Sequence, residues 1–293
     1  METLDLKKIL LKIRKYEIRI RKAVNARMRG NFSSVFKGSG LEFDDIRTYQ
    51  YGDDVRRIDW NSSAKGEDTY IKVFKEEKEQ TVFFLADVSK SNDTHGRANL
   101  MREICSVLAF SAIREGSEAG LLCYSDQKEK YIKPDKGMKK AYEIALNFYK
   151  LVPQSNKTDL SGFIKFFLNM FRRRGIIFFI SDFIDNNYEE AITPLAKKHD
   201  LIILHLTAKA ELAMPKLGLI PIQDQETGTI RWINSSAKQE QEMIKNIFEE
   251  RVSKLEYISK LYQTDYVQID AEEDFVPKLV KLFKVRNQRI RNF

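Results

Sequence analysis

Cysteine is nearly absent from this chain, with two residues, Cys105 and Cys123, in 293. A disulfide-stapled scaffold is therefore excluded. Both thiols lie in apolar runs, where cysteine behaves as a small reduced core residue. Histidine is scarce as well. His95, His199 and His205 share no metal-ligand spacing, and read as a loop residue, a helix-end residue and a core residue. Thirteen glycines and six prolines exclude collagen-like or linker-like composition. No segment approaches the ~18 consecutive apolar residues of a membrane helix. The best run, Ile176 to Ile180, has strand length. The N-terminus, Met1-Glu2-Thr3-Leu4-Asp5, starts acidic and lacks the apolar segment and small-residue cleavage site of a secretory signal. These absences together lead to the expectation of a soluble, cytoplasmic protein.

What is present is enough apolar character, 43%, for a real core. The length allows one large domain or two ordinary ones. The formal charge of +8 is concentrated rather than spread. Residues 7–29 hold ten Lys and Arg against one acid, Glu17, so this stretch accounts for the whole excess. Ile9, Ile13, Tyr16, Ile20 and Val24 recur within it at steps of three and four, the stripe of an amphipathic helix. Three readings compete: a docked helix with a solvated basic face, a surface for an acidic protein, and a surface for nucleic acid or anionic lipid. A C-terminal helix repeats the theme with Lys278, Lys281, Lys284, Arg286, Arg289 and Arg291. Neither cluster comes with a zinc-finger, RNP-type or bZIP pattern, so nucleic acid is the weakest of the three.

Residues 30–68 read as irregular, punctuated by Gly30, Gly38, Gly40, Gly52 and Gly66. Regular pattern follows. Thr69–Phe74 alternates like a strand. Thr81–Ala86, Gly175–Ser181 and Leu201–Leu206 read as buried strands, with further strands at Ala119–Tyr124, Tyr131–Ile132 and Tyr266–Ile269. Helices are expected over Ala98–Arg114, Lys139–Lys150, Asp159–Arg173, Tyr188–Lys198, residues 235–263 and Val276–Arg289. Buried strands alternating with helices predict an α/β fold, a Rossmann-like doubly wound, mostly parallel sheet. Residues 79–293 would form this domain, and residues 1–78 a helical and irregular N-terminal appendage.

In open parallel sheets ligands sit beyond the carboxyl ends of the strands. The first buried strand runs there into Asp87-Val88-Ser89-Lys90-Ser91, which puts one carboxylate and two hydroxyls around a tight loop. All three are hard oxygen donors of the kind Mg²⁺ takes, with Mn²⁺ or Ca²⁺ as alternatives. Another buried strand ends in Ser181-Asp182, and Thr158 stands at a helix start between them. Singly, Ser89 and Ser91 read as turn residues, Thr158 as a helix cap and Asp182 as an Asx-turn acceptor. Together, in this order at strand edges, Asp87, Ser89, Ser91, Thr158 and Asp182 read as a metal site. Because hydroxyls are neutral, such a site leaves its cation seeking an acidic ligand from outside.

A second block lies upstream. From Glu42 to Trp60 there are six acids and three arginines, Arg47, Arg56 and Arg57. Arginine can take carboxylates bidentately. Tyr51-Gly52-Asp53-Asp54 reads as a turn and Trp60 as an apolar anchor. The block is either a charge-laced cap packed on the sheet domain, or a surface facing a partner or supporting the metal site. In the latter case Arg47, Asp53, Asp54, Arg56, Arg57 and Trp60 are the partner-binding candidates.

The D-x-S-x-S loop with Thr158 and Asp182 resembles the metal-ion-dependent adhesion site (MIDAS) of von Willebrand factor A-like (VWA) domains, over roughly residues 80–270. The run from Gly40 to Tyr49, then Tyr51 to Trp60 and Ser63-Ala64-Lys65, resembles the MoxR-associated bacterial family known as domain of unknown function fifty-eight. Met214-Pro215, Gly218 and Asp224–Gly228 are similar to it too. Two departures stand out. Asn92 replaces the methionine usual after the last serine, read here as a packing change. Asn156 and Lys157 replace small residues before Thr158, which weakens it as a ligand.

The resemblance implies a non-enzymatic, metal-dependent interaction module. The implied partner is a MoxR-type AAA+ ATPase, or a client protein supplying an acidic residue, in protein or complex maturation. One alternative is a Mg²⁺-dependent hydrolase or phosphoryl-transfer enzyme, though Ser89 stands where such enzymes need a second carboxylate, and P-loop and G-x-S-x-G patterns are missing. The other is nucleic-acid binding through the basic helices.

Overall fold

The computed structural model describes residues 3–25, 41–64, 68–76, 80–185, 188–209, 216–223 and 229–291. Arg27, Arg29, Gly30, Gly38, Gly40, Lys65, Gly66, Met214-Pro215 and Asp224–Gly228, singled out above, lie outside them.

The chain opens with α1 (Thr3–Asn25) and a two-stranded antiparallel sheet, β1 (Leu41–Thr48) with β2 (Tyr70–Glu76). A 3-10 turn at Val55–Arg57 and one helical turn, α2 (Trp60–Ser63), lie between those strands. The expectation of irregular structure over 30–68 is thus corrected for the described part. β1 carries too many charges to show a strand's alternation, and its order comes from backbone pairing with β2.

The main sheet has six strands in the order β10-β7-β6-β3-β4-β5: β3 (Thr81–Asp87), β4 (Glu118–Tyr124), β5 (Lys128–Asp135), β6 (Ile176–Ser181), β7 (Asp200–Thr207) and β10 (Asp265–Asp270). All neighbours run parallel except β5, which returns antiparallel to β4. The helices are α3 (Arg97–Arg114), α4 (Met138–Lys150), α5 (Leu160–Met170), α6 (Glu189–Lys198), α7 (Lys238–Tyr262) and α8 (Val276–Arg291). A separate hairpin, β8 (Leu219–Gln223) with β9 (Ile230–Asn234), precedes α7.

Alternate residues of the buried strands feed two cores, as the period of two requires. Phe84, Ala86, Phe178, Ile180, Ile202 and Leu204 face α1, α3, α4 and α8. Phe83, Leu85, Phe179, Leu201 and Ile203 face α5, α6 and α7. α1 belongs to the first layer in space: Ile13 and Ile20 are buried there, Lys12 pairs with Glu103 on α3, and Arg19 with Asp274 ahead of α8. α5 stops at Met170 rather than reaching Arg173, because Phe171 turns extended and packs against Phe83, Phe167 and His199. His205 is fully buried and bonds the Tyr266 hydroxyl.

From β3 the chain first winds toward β4 and β5, then crosses back to β6, β7 and β10. The winding reverses at β3 and β6, and their carboxyl ends flank the crevice where such folds bind ligands.

Candidate metal centre

Asp87 ends β3 inside that crevice and is buried. Its Oδ1 accepts from the Ser89 backbone N–H at 3.0 Å, which folds the loop back over the strand end. Its Oδ2 accepts from the Ser181 hydroxyl at 2.6 Å and from the Asn92 amide at 3.0 Å. The carboxylate is therefore clamped from both strands of the switch point. The Ser89 and Ser91 hydroxyls stand 3.1 Å apart around a 3-10 turn, Lys90–Asp93. Asp182, one residue beyond β6, is fully buried. Its Oδ1 accepts from the Ile184 N–H at 3.1 Å, the Asx turn expected of it, while Oδ2 has no hydrogen-bond partner. Phe183 follows with φ of +53°, an uncommon conformation for a bulky residue.

Thr158 is half-buried on a segment tied down on both sides of it. The Lys90 N–H donates to the Asn156 carbonyl at 3.3 Å, and the Asp159 N–H to the Ser125 carbonyl at 3.2 Å. The cap of α5 is Asp159, whose carboxylate accepts from the Gly162 N–H at 2.7 Å. A Cβ on Gly162 would fall 2.2 Å from that carboxylate, so the cap needs glycine there. This corrects the reading of Thr158 as a helix cap.

Four residues of the site went unassigned from sequence. Asn92 is buried and donates to Asp87, so it is more than a packing change. Ser181 appeared above only as the neighbour of Asp182. Arg97, first in α3, is buried with Nη2 3.5 Å from Asp182 Oδ2; it also donates to the Ser91 carbonyl and the Thr94 hydroxyl. Arg251 on α7 donates to the Asp182 carbonyl at 3.3 Å. Arg97 had a signal, since a cation at a helix N-terminus opposes the helix dipole and calls for a nearby acid.

Burial, and next the Asp182 charge, push the Asp87 carboxyl up to about 7. Two carboxylates out of water beside each other call for positive charge, which Arg97 supplies in part at Asp182. The residues fit one: Asp182 Oδ2 and Asn92 Oδ1 are buried acceptors without hydrogen bonds, and hydroxyls lie alongside. Among the described residues no cluster of three His, Cys, Asp or Glu could hold a metal, so a cation here would rest on hydroxyls as much as carboxylates. A cavity of about 260 Å³ opens beside Asp87 and Ser89, walled by Met101, Phe148, Leu151 and Pro153, with Lys90 and Arg102 also lining it.

Over residues 45–254 the sequence matches the family described as "Protein of unknown function DUF58". The chain belongs to this family. Uncharacterized protein Rv1480 of Mycobacterium tuberculosis (strain ATCC 25618 / H37Rv) is 24% identical over 236 residues, 78% of this DUF58 chain and 74% of its own length. Uncharacterized protein Mb1516 of Mycobacterium bovis (strain ATCC BAA-935 / AF2122/97) gives the same values. Among solved structures, conserved hypothetical protein BatB from Bacteroides thetaiotaomicron overlaps 73% of this chain and all of its own, at 13% identity and TM-score 0.43. The SpRpn10 VWA domain overlaps 69% and 94%, at 11% identity and TM-score 0.39. Proximal thread matrix protein 1 of the mussel byssus, with a zinc-occupied MIDAS motif, overlaps 71% and 47%, at 16% identity and TM-score 0.39.

The matched DUF58 region begins in the upstream block. There Arg47 grips Asp53 with both nitrogens, at 2.8 and 2.7 Å, and the Gln50 N–H donates to the same carboxylate. Asp54 caps the 3-10 turn at Arg56, and Asp59 caps α2 at Asn61 and Ser62. Arg57 adds its charge near Asp53. Trp60 is 71% exposed, which corrects its reading as an apolar anchor; the charge-capped turns hold the block instead. Tyr51 and Val55 are exposed with it.

Proposed function

We propose that this DUF58 protein is a non-enzymatic, metal-dependent interaction module that captures an acidic side chain of a partner. The observation that carries the reading is the buried pair Asp87 and Asp182, set beside the Ser89 and Ser91 hydroxyls with Asp182 Oδ2 left without a hydrogen bond. Ser89, Ser91, Thr158 and the two carboxylates would hold a divalent cation, Mg²⁺ in the first instance, which supplies a coordination position open to an external carboxylate. Asp87 is kept from rotating by Ser181 and Asn92, so the donor set is ready before the ligand arrives. The cavity beside Ser89 gives the residue next to the partner's acid an apolar wall.

The partner is a MoxR-type AAA+ ATPase or its client, which this protein joins as an adaptor. The exposed Tyr51, Val55 and Trp60 offer a second contact, presented by the Arg47–Asp53 clamp.

A thermal-shift titration with Mg²⁺ and Mn²⁺ tests the metal, since a ligand that binds only the native state raises Tm. The melting temperature should rise at millimolar metal and stay flat in Asp87→Ala and Asp182→Ala. A MoxR-type ATPase from the same cells should co-purify in Mg²⁺ and be lost in EDTA. A flat parent titration together with undiminished capture by Asp87→Ala would overturn the proposal.

A further inference from the structure

We infer that Arg97 is an internal counter-cation of the metal centre, placed so that a divalent ion and a partner's carboxylate bind together rather than in turn. The inference rests on the metal-binding reading above and concerns how that site is regulated.

Arg97 occupies the first position of α3, with its side chain 3% exposed. A cation there faces the positive end of the helix dipole and loses its hydration, two costs that need an acidic neighbour. The neighbour is Asp182, whose Oδ2 lies 3.5 Å from Nη2 and accepts no hydrogen bond. Gly96, at φ of +79°, makes the turn that carries the chain into this position. Arg97 also holds the loop, since Nη2 donates to the carbonyl of Ser91, whose hydroxyl is a site donor. Arg251 approaches Asp182 from α7 through its carbonyl.

Asp182 thus faces two guanidinium groups, Arg97 at its carboxylate and Arg251 at its carbonyl, and much of its charge is met without any metal. A divalent ion entering beside these guanidinium groups brings positive charge that Asp182 no longer fully offsets, which low-dielectric surroundings penalise. A partner's carboxylate removes part of that excess. Each ligand therefore strengthens the other, and linkage makes the coupling reciprocal. With a neutral residue at 97, Asp182 would attract the ion unaided, and the dependence on a second ligand would weaken.

Mn²⁺ binding to the full chain, followed by the loss of the free-ion electron paramagnetic resonance signal, tests this. It is run in acetate and in chloride at equal ionic strength, with acetate as the carboxylate probe. The parent should bind weakly in chloride and more tightly in acetate. Arg97→Gln should tighten binding in chloride by about tenfold, the effect of about one charge interaction across such a site, and lose most of the acetate effect. Arg97→Lys should stay near the parent. Arg251→Gln, which leaves the Ser91 contact in place, should tighten binding in the same direction and serves if Arg97→Gln folds poorly. Parent binding with no tightening in either neutral variant would overturn the inference alone. No Mn²⁺ binding by the parent or any variant would overturn the metal-centre reading and this inference with it.

Discussion

Asn92, read from the sequence as a packing change, has a side chain that donates to a buried carboxylate instead of filling space. Asp87, Ser89, Ser91 and Asp182 were legible because their spacing puts oxygen donors at strand ends. Asn92, Ser181, Arg97 and Arg251 were not, because each acts through a contact made only after distant segments meet. His199 has a pH consequence in the same direction as that of His205, which burial lowers to about 3. His199 lies between Phe167 and Phe171, and burial, helped by Lys198 and Arg174, lowers it from 6.5 to about 4. The unfolded chain binds its proton more readily, so the fold loses stability as pH falls from about 6.5 toward 4. Asp87 acts in the opposite direction, and a comparison of variants cancels it. His199→Phe should flatten the dependence of the urea midpoint on pH over that window; an unchanged slope would refute the assignment.

The elements best announced by the sequence are the buried parallel strands, whose uninterrupted apolar runs serve two cores at once. The hairpin of β8 and β9 gave no such signal. Leu219, Ile230 and Trp232 are exposed, so apolar residues there do not mark an inward face. β1 was hidden by its acids, and its order depends on a partner strand whose paired residues lie 22 to 35 positions away. The start of β6 makes a strict demand at Gly175, where a Cβ would lie 2.7 Å from the Thr81 carbonyl and 3.1 Å from the Phe171 ring. A backbone atom cannot retreat as a flexible side chain can. Gly175→Ala should therefore destabilise the protein by about 1–3 kcal/mol, measured by urea unfolding, while Gly116→Glu would report only on the turn after α3. A neutral Gly175→Ala would mean that β3 and β6 shift apart freely.

Across the whole molecule, α1 is a docked helix with a solvated basic face, on which Lys7, Lys8, Arg14, Lys15, Arg21 and Lys22 are exposed. Lys12 and Arg19 are paired with acids, and Arg286 on α8 is buried between Asp200 and Asp265. The last finding corrects the reading of Arg286 as part of a basic face: it joins α8 to the start of β7 and of β10. α1 stood outside the strand–helix alternation in sequence, yet it covers α3 and α8 through Ile13 and Ile20. A chain lacking residues 1–25 should therefore bind the dye ANS and unfold over a broadened transition. A sharp transition at the parent's melting temperature would show that the layer closes without it.

The antiparallel return of β5 also determines how one molecule meets another. Open sheets end in unpaired backbone groups that can recruit a strand from a neighbouring chain. Here the exposed margin carries Lys128, Lys130 and Lys133, and then Pro134, which has no N–H to offer. The lysines and a missing donor meet any second copy approaching along that margin, so edge-to-edge growth into fibrils is opposed at the β5 side of the sheet.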